Sequence, residues 1–134
     1  MSYKISWYIE NRVVIIRMYG DITTDEMSSS FNEFSEFLKV GTEHIYLLVD
    51  LREVTKFPLN FRDMFQEMGK FRFHERIAWT ITLTSNVLIS FFGAMASKVI
   101  HMPTRTFKTL EEADAFIVHN APELAPMLAT QKAT

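Results

Sequence analysis

The segment 44–51, HIYLLVDL, constrains the fold of this chain more than any other part of the sequence. An extended strand here would be apolar on both sides until Asp50, with Ile45, Leu47, Val49 and Leu51 on one side and Tyr46 and Leu48 on the other. Apolar residues on both sides are typical of a strand that is buried between two layers. The segment therefore predicts an inner strand of a sheet that carries helices on its faces.

Alternating and helical patterns around this strand predict an α/β fold. Strands at 3–10 and 13–19 form a hairpin that turns at Asn11-Arg12, because Asn tolerates a left-handed backbone. Residues 52–57 are expected to be a loop, with helices at 23–41, 61–68, 87–100 and 109–120 and further strands at 77–84 and 104–107. This order predicts a mixed sheet of about five strands with about four helices, joined by right-handed βα units after the hairpin.

Two of the predicted helices begin with capping residues. Thr23 stands three residues before Glu26, and Thr109 stands three residues before Glu112, which is the spacing of a capping box. Gly41 is a good stop for the first helix.

Composition predicts one globular domain. Of 134 residues, 48% are hydrophobic, enough for a sizeable core. We expect the domain to cover 1–120 and residues 121–134 to form a short helical turn and tail.

The net charge of −2 argues against a nucleic-acid partner, which usually needs a basic domain. The absence of cysteine excludes disulfides and thiolate chemistry, and with no signal-peptide pattern it favours the cytoplasm.

One stretch is long enough to imitate a membrane span. No residue from Ile77 to Ser97 is charged. Its first half alternates between Thr and large apolar residues, however, and Ser85-Asn86 then interrupts it with helix-capping residues. The stretch therefore predicts a buried strand followed by a buried helix, and no membrane span.

Three stretches of the chain resemble the STAS-type domain of anti-sigma-factor antagonists, and within that group the SpoIIAA-like (STAS/Sec14-related) bacterial proteins. They are residues 13–23, 47–54 and 105–117. The resemblance implies a STAS-like α/β fold and a small regulatory or ligand-binding domain of the cytoplasm. Antagonists of this fold carry an Asp-Ser-Ser-Gly-like stretch, with a phosphorylated serine, soon after the central strand. This chain has no hydroxyl there, because the stretch is Phe57-Pro58-Leu59-Asn60-Phe61.

Polar residues near the predicted strand ends are candidates for binding a ligand or partner, since ligands of open α/β sheets tend to lie there. They are Asp50, Arg52, Ser85 and Asn86. Asp50 supplies a carboxylate, and Ser85 and Asn86 precede a helix N-terminus, where free N–H groups attract anions. A structural role explains the same residues: Asp50 accepts loop N–H groups while Ser85 or Asn86 caps the helix.

The predicted helix 87–100 is apolar over about half of its circumference, which is wider than one sheet contact requires. A second subunit, an apolar ligand or ordinary core packing would each cover it. The apolar candidates for such an interface or pocket, including the facing helix 61–68, are Phe61, Phe65, Leu88, Phe91, Phe92, Met95 and Ile100.

Motifs of catalysis and metal binding are missing from the sequence. The four histidines stand at no recognised metal spacing, and there is no His-Glu-x-x-His or Gly-x-Ser-x-Gly motif. We therefore predict no cofactor, no metal and no catalytic residue. The alternation of basic and aromatic residues at 70–76 would suit an anionic strand or head group, although a connector between elements has the same composition.

Three functions remain open at this point. The first is a non-enzymatic, STAS-like regulatory or protein-interaction module that binds a protein partner as a homodimer. The second is the binding or carrying of a small hydrophobic or lipid-like ligand between helices 61–68 and 87–100. The third is an enzyme with Asp50 at its centre.

Overall fold

The fold is a mixed five-stranded sheet with helices packed on its faces. The computed structural model describes residues 3–41, 44–56, 76–87 and 103–128. The strands stand in the sheet in the order in which they occur in the chain. The elements are β1 (Tyr3–Ile9), β2 (Val13–Asp21), α1 (Thr24–Val40), β3 (Ile45–Lys56), β4 (Ile77–Leu83), β5 (Thr104–Phe107), α2 (Leu110–Asn120) and a 3₁₀ turn (Pro122–Leu124).

The first two strands form the predicted hairpin. β1 pairs antiparallel with β2, and the register shifts between Trp7 and Ile9, which marks a bulge. Asn11 has a φ of 65°, the left-handed conformation that a tight turn requires. The amide of Arg12 closes the turn by donating to the carbonyl of Ile9 at 3.0 Å.

Both predicted helix starts are confirmed. The Thr23 hydroxyl accepts the amide of Glu26 at 3.1 Å, and the Thr109 hydroxyl accepts the amide of Glu112 at 3.2 Å. Each hydroxyl also donates to the carboxylate of the same glutamate. Each N-terminus therefore has one of its orphan N–H groups satisfied by a side chain.

At the end of α1, Gly41 matters for its lack of a side chain and not for its backbone freedom. Its φ of −77° is available to any residue. A Cβ at this position, however, would overlap the side chain of Ile45 and lie 3.0 Å from the indole of Trp7. A larger residue here would require the side chain of Ile45 to shift, because the end of α1 passes close to β1 and β3.

β3 is the central strand, as predicted, and pairs in parallel with both β2 and β4. The expected loop at 52–57 is wrong over its first five residues, because β3 continues to Lys56. This extension pairs with Tyr19, Gly20 and Asp21 of β2, which is itself longer than the predicted strand. The amide of Ile22 then donates to the carbonyl of Lys56 at 2.8 Å.

Two apolar clusters hold the layers together, one on each face of the sheet. On the face that we call the α1 face, the inner side of α1 packs against β1, β2 and β3, with Phe34, Ile16, Ile45 and Leu47 fully buried. On the opposite face, the α2 face, α2 and the turn after it cover β2, β3 and β4, with Val13, Leu48, Ile81, Ile117 and Leu124 fully buried. This second cluster extends along the chain to Leu128.

The predicted helices at 61–68 and 87–100 lie outside the described residues, apart from Val87. The described parts of the chain contain α1, α2, the 3₁₀ turn and, directly after it, helical residues at 125–128. No helix in these parts is long and apolar enough to span a bilayer.

Candidate functional site

The four polar candidates lie side by side on neighbouring parts of the chain, two of them on β3 and two directly after the end of β4. Asp50 of β3 is in register with Leu83, the last residue of β4. Ser85 and Asn86 follow the end of β4, while β3 continues past Asp50 through Arg52. The sheet therefore has a step where β4 stops and its neighbour goes on. We call this place the shoulder and define it by Asp50, Arg52, Ser85 and Asn86.

Asp50 and Arg52 form a compact ion pair at the shoulder. The guanidinium of Arg52 donates from Nε to Asp50 Oδ1 at 3.0 Å and from Nη2 to Oδ2 at 2.9 Å. The backbone amide of Arg52 also donates to Oδ1 at 3.1 Å. This two-pronged geometry is the strong form of an arginine–carboxylate contact. It fixes the orientation of both side chains.

The surroundings of the pair keep Asp50 ionised. Burial of the Asp50 carboxyl acts to raise its pKa, but the hydrogen bonds from Arg52 and the positive charges of Arg52 and Arg17 outweigh it, and the net pKa lies below the usual 3.8. The hydrogen bonds to Asp50 likewise raise the pKa of Arg52. The pair is therefore fully charged at neutral pH.

Arg52 keeps hydrogen-bonding capacity after it has bound Asp50. A guanidinium carries five N–H donors, and Asp50 takes two of them, one from Nε and one from Nη2. The remaining three make no hydrogen bond to the described residues. The Arg52 side chain is 40% exposed, against 11% for that of Asp50.

Ser85 and Asn86, two of the residues that follow β4, are exposed, whereas Thr84 before them is buried. The Thr84 hydroxyl accepts the N–H of Asn86 at 3.0 Å, which forms a local turn. The cap at Ser85 or Asn86 stays a prediction, because the helix that it would begin lies outside the described residues apart from Val87. The next residue, Val87, is 80% exposed. The shoulder thus combines a fixed guanidinium with an exposed polar and apolar segment.

The apolar candidates cannot be placed on this geometry. Phe61, Phe65, Leu88, Phe91, Phe92, Met95 and Ile100 all lie outside the described residues. The stretch 57–61, where antagonists of this fold carry their phosphorylated serine, lies outside them as well.

A second polar feature was missed by the sequence analysis. Four threonines lie on the α1 face of the last two strands, where Thr80 is in register with Thr104 and Thr82 with Thr106. We call these four residues the hydroxyl row. The alternation along 77–84 had placed threonines on one side of β4, but the pairing with β5 depends on the register of two distant segments.

An open groove of about 570 Å³ runs along α2 and the turn that follows it. It is lined by Glu111, Asp114, Ala115, Val118, His119, Ala125 and Leu128. Its one buried carboxylate, Asp114, accepts the hydroxyl of Tyr8 at 2.8 Å and so serves the core. Among the described residues no group of three metal-ligating side chains comes together, in this groove or elsewhere.

Comparison with known proteins agrees with this architecture. The SpoIIAA-like family model matches residues 13–118, which is more than half of the chain. This chain belongs to the SpoIIAA-like family. An uncharacterized protein from Shewanella loihica PV-4, described as a DUF3478-family member with a SpoIIAA-like fold, is similar with a TM-score of 0.62 and 14% identity, over 85% of this chain and 94% of that one. No curated protein matches.

For this SpoIIAA-like protein the comparisons establish the fold and a coarse functional class. The predicted family and fold are confirmed, from the N-terminal hairpin to the mixed five-stranded sheet. Family membership supports a regulatory or interaction module at that coarse level. The likeness to the Shewanella protein, at 14% identity, concerns the fold alone.

Proposed function

We propose that this chain is a non-catalytic interaction module that binds a protein partner at the shoulder. The observation that carries the proposal is the exposed guanidinium of Arg52, which is held in place by Asp50 and keeps three N–H donors unused by the described residues. Orientation before binding reduces the entropy lost when a partner docks. The complementary group on the partner is a carboxylate or a row of backbone carbonyls.

The state of Asp50 argues against the third function, an enzyme with this residue at its centre. A general acid or base is effective when its pKa lies near the working pH. The pKa of Asp50 lies below 3.8, and its two oxygens already accept three hydrogen bonds from Arg52. Asp50 is better suited to positioning Arg52 than to transferring a proton.

A binding experiment with matched variants tests the shoulder. The purified chain is immobilised and incubated with lysate of its own organism, and captured proteins are quantified by mass spectrometry. We expect Arg52→Met to lower the recovery of a specific partner about tenfold or more, which is the scale of a central interface residue. Lys39→Met is the control, because Lys39 forms an exposed ion pair with Glu36 on α1. Equal recovery with Arg52→Met and Lys39→Met would show that the shoulder is not the contact surface.

A second candidate function is the binding of a small apolar ligand. The hydroxyl row favours it, because two of its members, Thr80 and Thr82, are buried polar side chains on the α1 face, which is apolar along β2 and β3. Mass spectrometry of the native protein reports the retained ligand and the subunit number in one measurement. It therefore also tests the predicted homodimer. A protein that carries no ligand and binds no added amphiphile would exclude this second function.

A further inference from the structure

The groove along α2 is lined by two stretches of helix. Glu111, Ala115 and Val118 lie on one face of α2, because residues three and four apart in a helix are neighbours on its surface. Ala125 and Leu128 line the groove from the helical residues that follow the 3₁₀ turn, and they too are three residues apart. A groove of about 570 Å³ has room for several side chains of a docked segment.

Much of the lining is small or apolar. Ala115 and Ala125 stand at exposed positions, one on each stretch of helix. Val118 is half-buried, and Leu128 is 4% exposed as the last member of the cluster on the α2 face. Small side chains let a second helix approach closely, since the distance between packed helices depends on the side chains at the contact. The groove therefore suits recognition of an amphipathic helix that buries its apolar face there.

The ionisable part of the lining is acidic near the start of α2. Glu111 is exposed in the first turn, Asp114 is buried in the second, and His119 lies in the last turn. Asp114 accepts the Tyr8 hydroxyl, so its carboxylate is engaged with the sheet. The described residues that line the groove include no lysine or arginine. Glu111 is thus the exposed carboxylate of the groove.

Glu111 has no ion-pair partner among the described residues. The pKa of Arg52 is raised first by its hydrogen bond to Asp50, and the charge of Glu111 adds to this rise. Arg52 is therefore close enough to feel Glu111, but its guanidinium is bound to Asp50. A cation on a partner can pair with Glu111 without displacing an ion pair of this chain.

We propose that the groove along α2 binds an amphipathic helix of a protein partner, which lays apolar side chains on Ala115, Val118 and Leu128 and places a lysine or arginine against Glu111. This site goes beyond the proposed function, because the shoulder is expected to take a carboxylate, whereas the groove takes a cation. A small organic amine shares the charge of the proposed ligand, but an open groove does not enclose a small molecule as ligand pockets do.

A phage-displayed library of random peptides tests the groove on the full chain. The peptides are about 15 residues long, roughly four helical turns. The library is selected on the immobilised wild type, and each enriched peptide is tested again on Ala115→Arg, which fills the groove with a large cationic side chain. We expect a set of peptides to lose at least tenfold in affinity on Ala115→Arg. That set should combine leucine, isoleucine or phenylalanine at helical spacing with an excess of lysine and arginine.

Matched variants separate the charge of the groove from its shape. For a synthesised peptide of that set, Glu111→Gln should lower the affinity about two- to fivefold in fluorescence anisotropy, the scale of one exposed ion pair. Ser29→Arg and Glu36→Gln, the same kinds of change on the exposed side of α1, should leave the affinity unchanged. Circular dichroism checks that each variant folds, and Ala125→Arg replaces Ala115→Arg if the latter does not.

Three results would overturn the inference. The first is that no enriched peptide depends on the groove. The second is that the groove-dependent peptides are neutral or acidic, or bind Glu111→Gln as tightly as the wild type. The third is that native mass spectrometry finds a dimer of the wild type that Ala115→Arg converts to a monomer, because the occupant of the groove is then a second copy of this chain.

Discussion

The ion pair between Asp50 and Arg52 gives the sharpest quantitative prediction. Breaking a fully buried pair costs about 3–5 kcal/mol, whereas exposed pairs contribute about 0.2–1 kcal/mol. This pair lies between those limits, because the Asp50 side chain is 11% exposed and the Arg52 side chain 40% exposed. Replacing Arg52 by Met removes two side-chain hydrogen bonds but leaves the backbone N–H on Asp50. We expect Arg52→Met to lower the unfolding free energy by ~1.5 kcal/mol and Tm by about 5 °C.

The pH dependence of this effect follows from the depressed pKa of Asp50. Because the folded-state pKa lies below the ordinary 3.8, the stability that the pair contributes is complete above the unfolded pKa and is lost as the pH falls through the folded one. A double-mutant cycle of Asp50→Asn and Arg52→Met, measured by urea unfolding, should therefore give a coupling energy of ~1.5 kcal/mol at neutral pH and a smaller one at about pH 3.

The matched control for this cycle is the pair Glu36 and Lys39 on α1, whose side chains are 70% and 69% exposed. Its coupling energy should stay below about 0.5 kcal/mol. The reasoning is refuted if the shoulder pair couples no more strongly than this control, or if its coupling is as large in acid as at neutral pH.

Three further predictions concern the core and the helix ends. Tyr8→Phe removes the hydroxyl that donates to Asp114 at 2.8 Å across the sheet-to-α2 contact, and urea unfolding should show a loss of about 1.5–3 kcal/mol. Gly41→Ala introduces a Cβ that overlaps its neighbours and should cost about 1–3 kcal/mol, whereas an unchanged Tm would mean that the end of α1 relaxes freely. Thr23→Ala and Thr109→Ala should each cost about 1 kcal/mol in thermal melts, while Thr23→Ser should cost clearly less.

Much of the fold was predictable because its signals are local. The apolar residues on both sides of 45–51 identified the central strand. A threonine three residues before a glutamate identified the start of each of two helices. Asn11 marked the hairpin turn for a reason that depends on a single residue, its tolerance of positive φ. Signals of this kind do not require knowledge of which segments meet in space.

The candidate site was predictable only in part, because its features depend on register. The sequence named Asp50 and Arg52, but not that they bind each other, since the prediction put Arg52 in a loop. The hydroxyl row needed the alignment of β4 with β5, segments that are separated by the residues between Leu83 and Thr104. Likewise, the space at Gly41 is limited by Trp7 and Ile45, which lie on two different strands. No local sequence pattern predicts that these side chains approach the end of α1.

The wrong end predicted for β3 has a physical lesson about charged residues in strands. An ionisable residue after an apolar run indicates that a buried strand has ended, because a lone buried charge is costly. In β3 the charge of Asp50 is compensated by Arg52, two residues along the same strand, and β2 supplies backbone pairing as far as Asp21. The strand can therefore continue past Asp50, because Arg52, the next residue on the same side of the strand, neutralises its carboxylate. An alternation of acid and base at i and i+2 after an apolar run thus predicts continuation of the strand rather than its end.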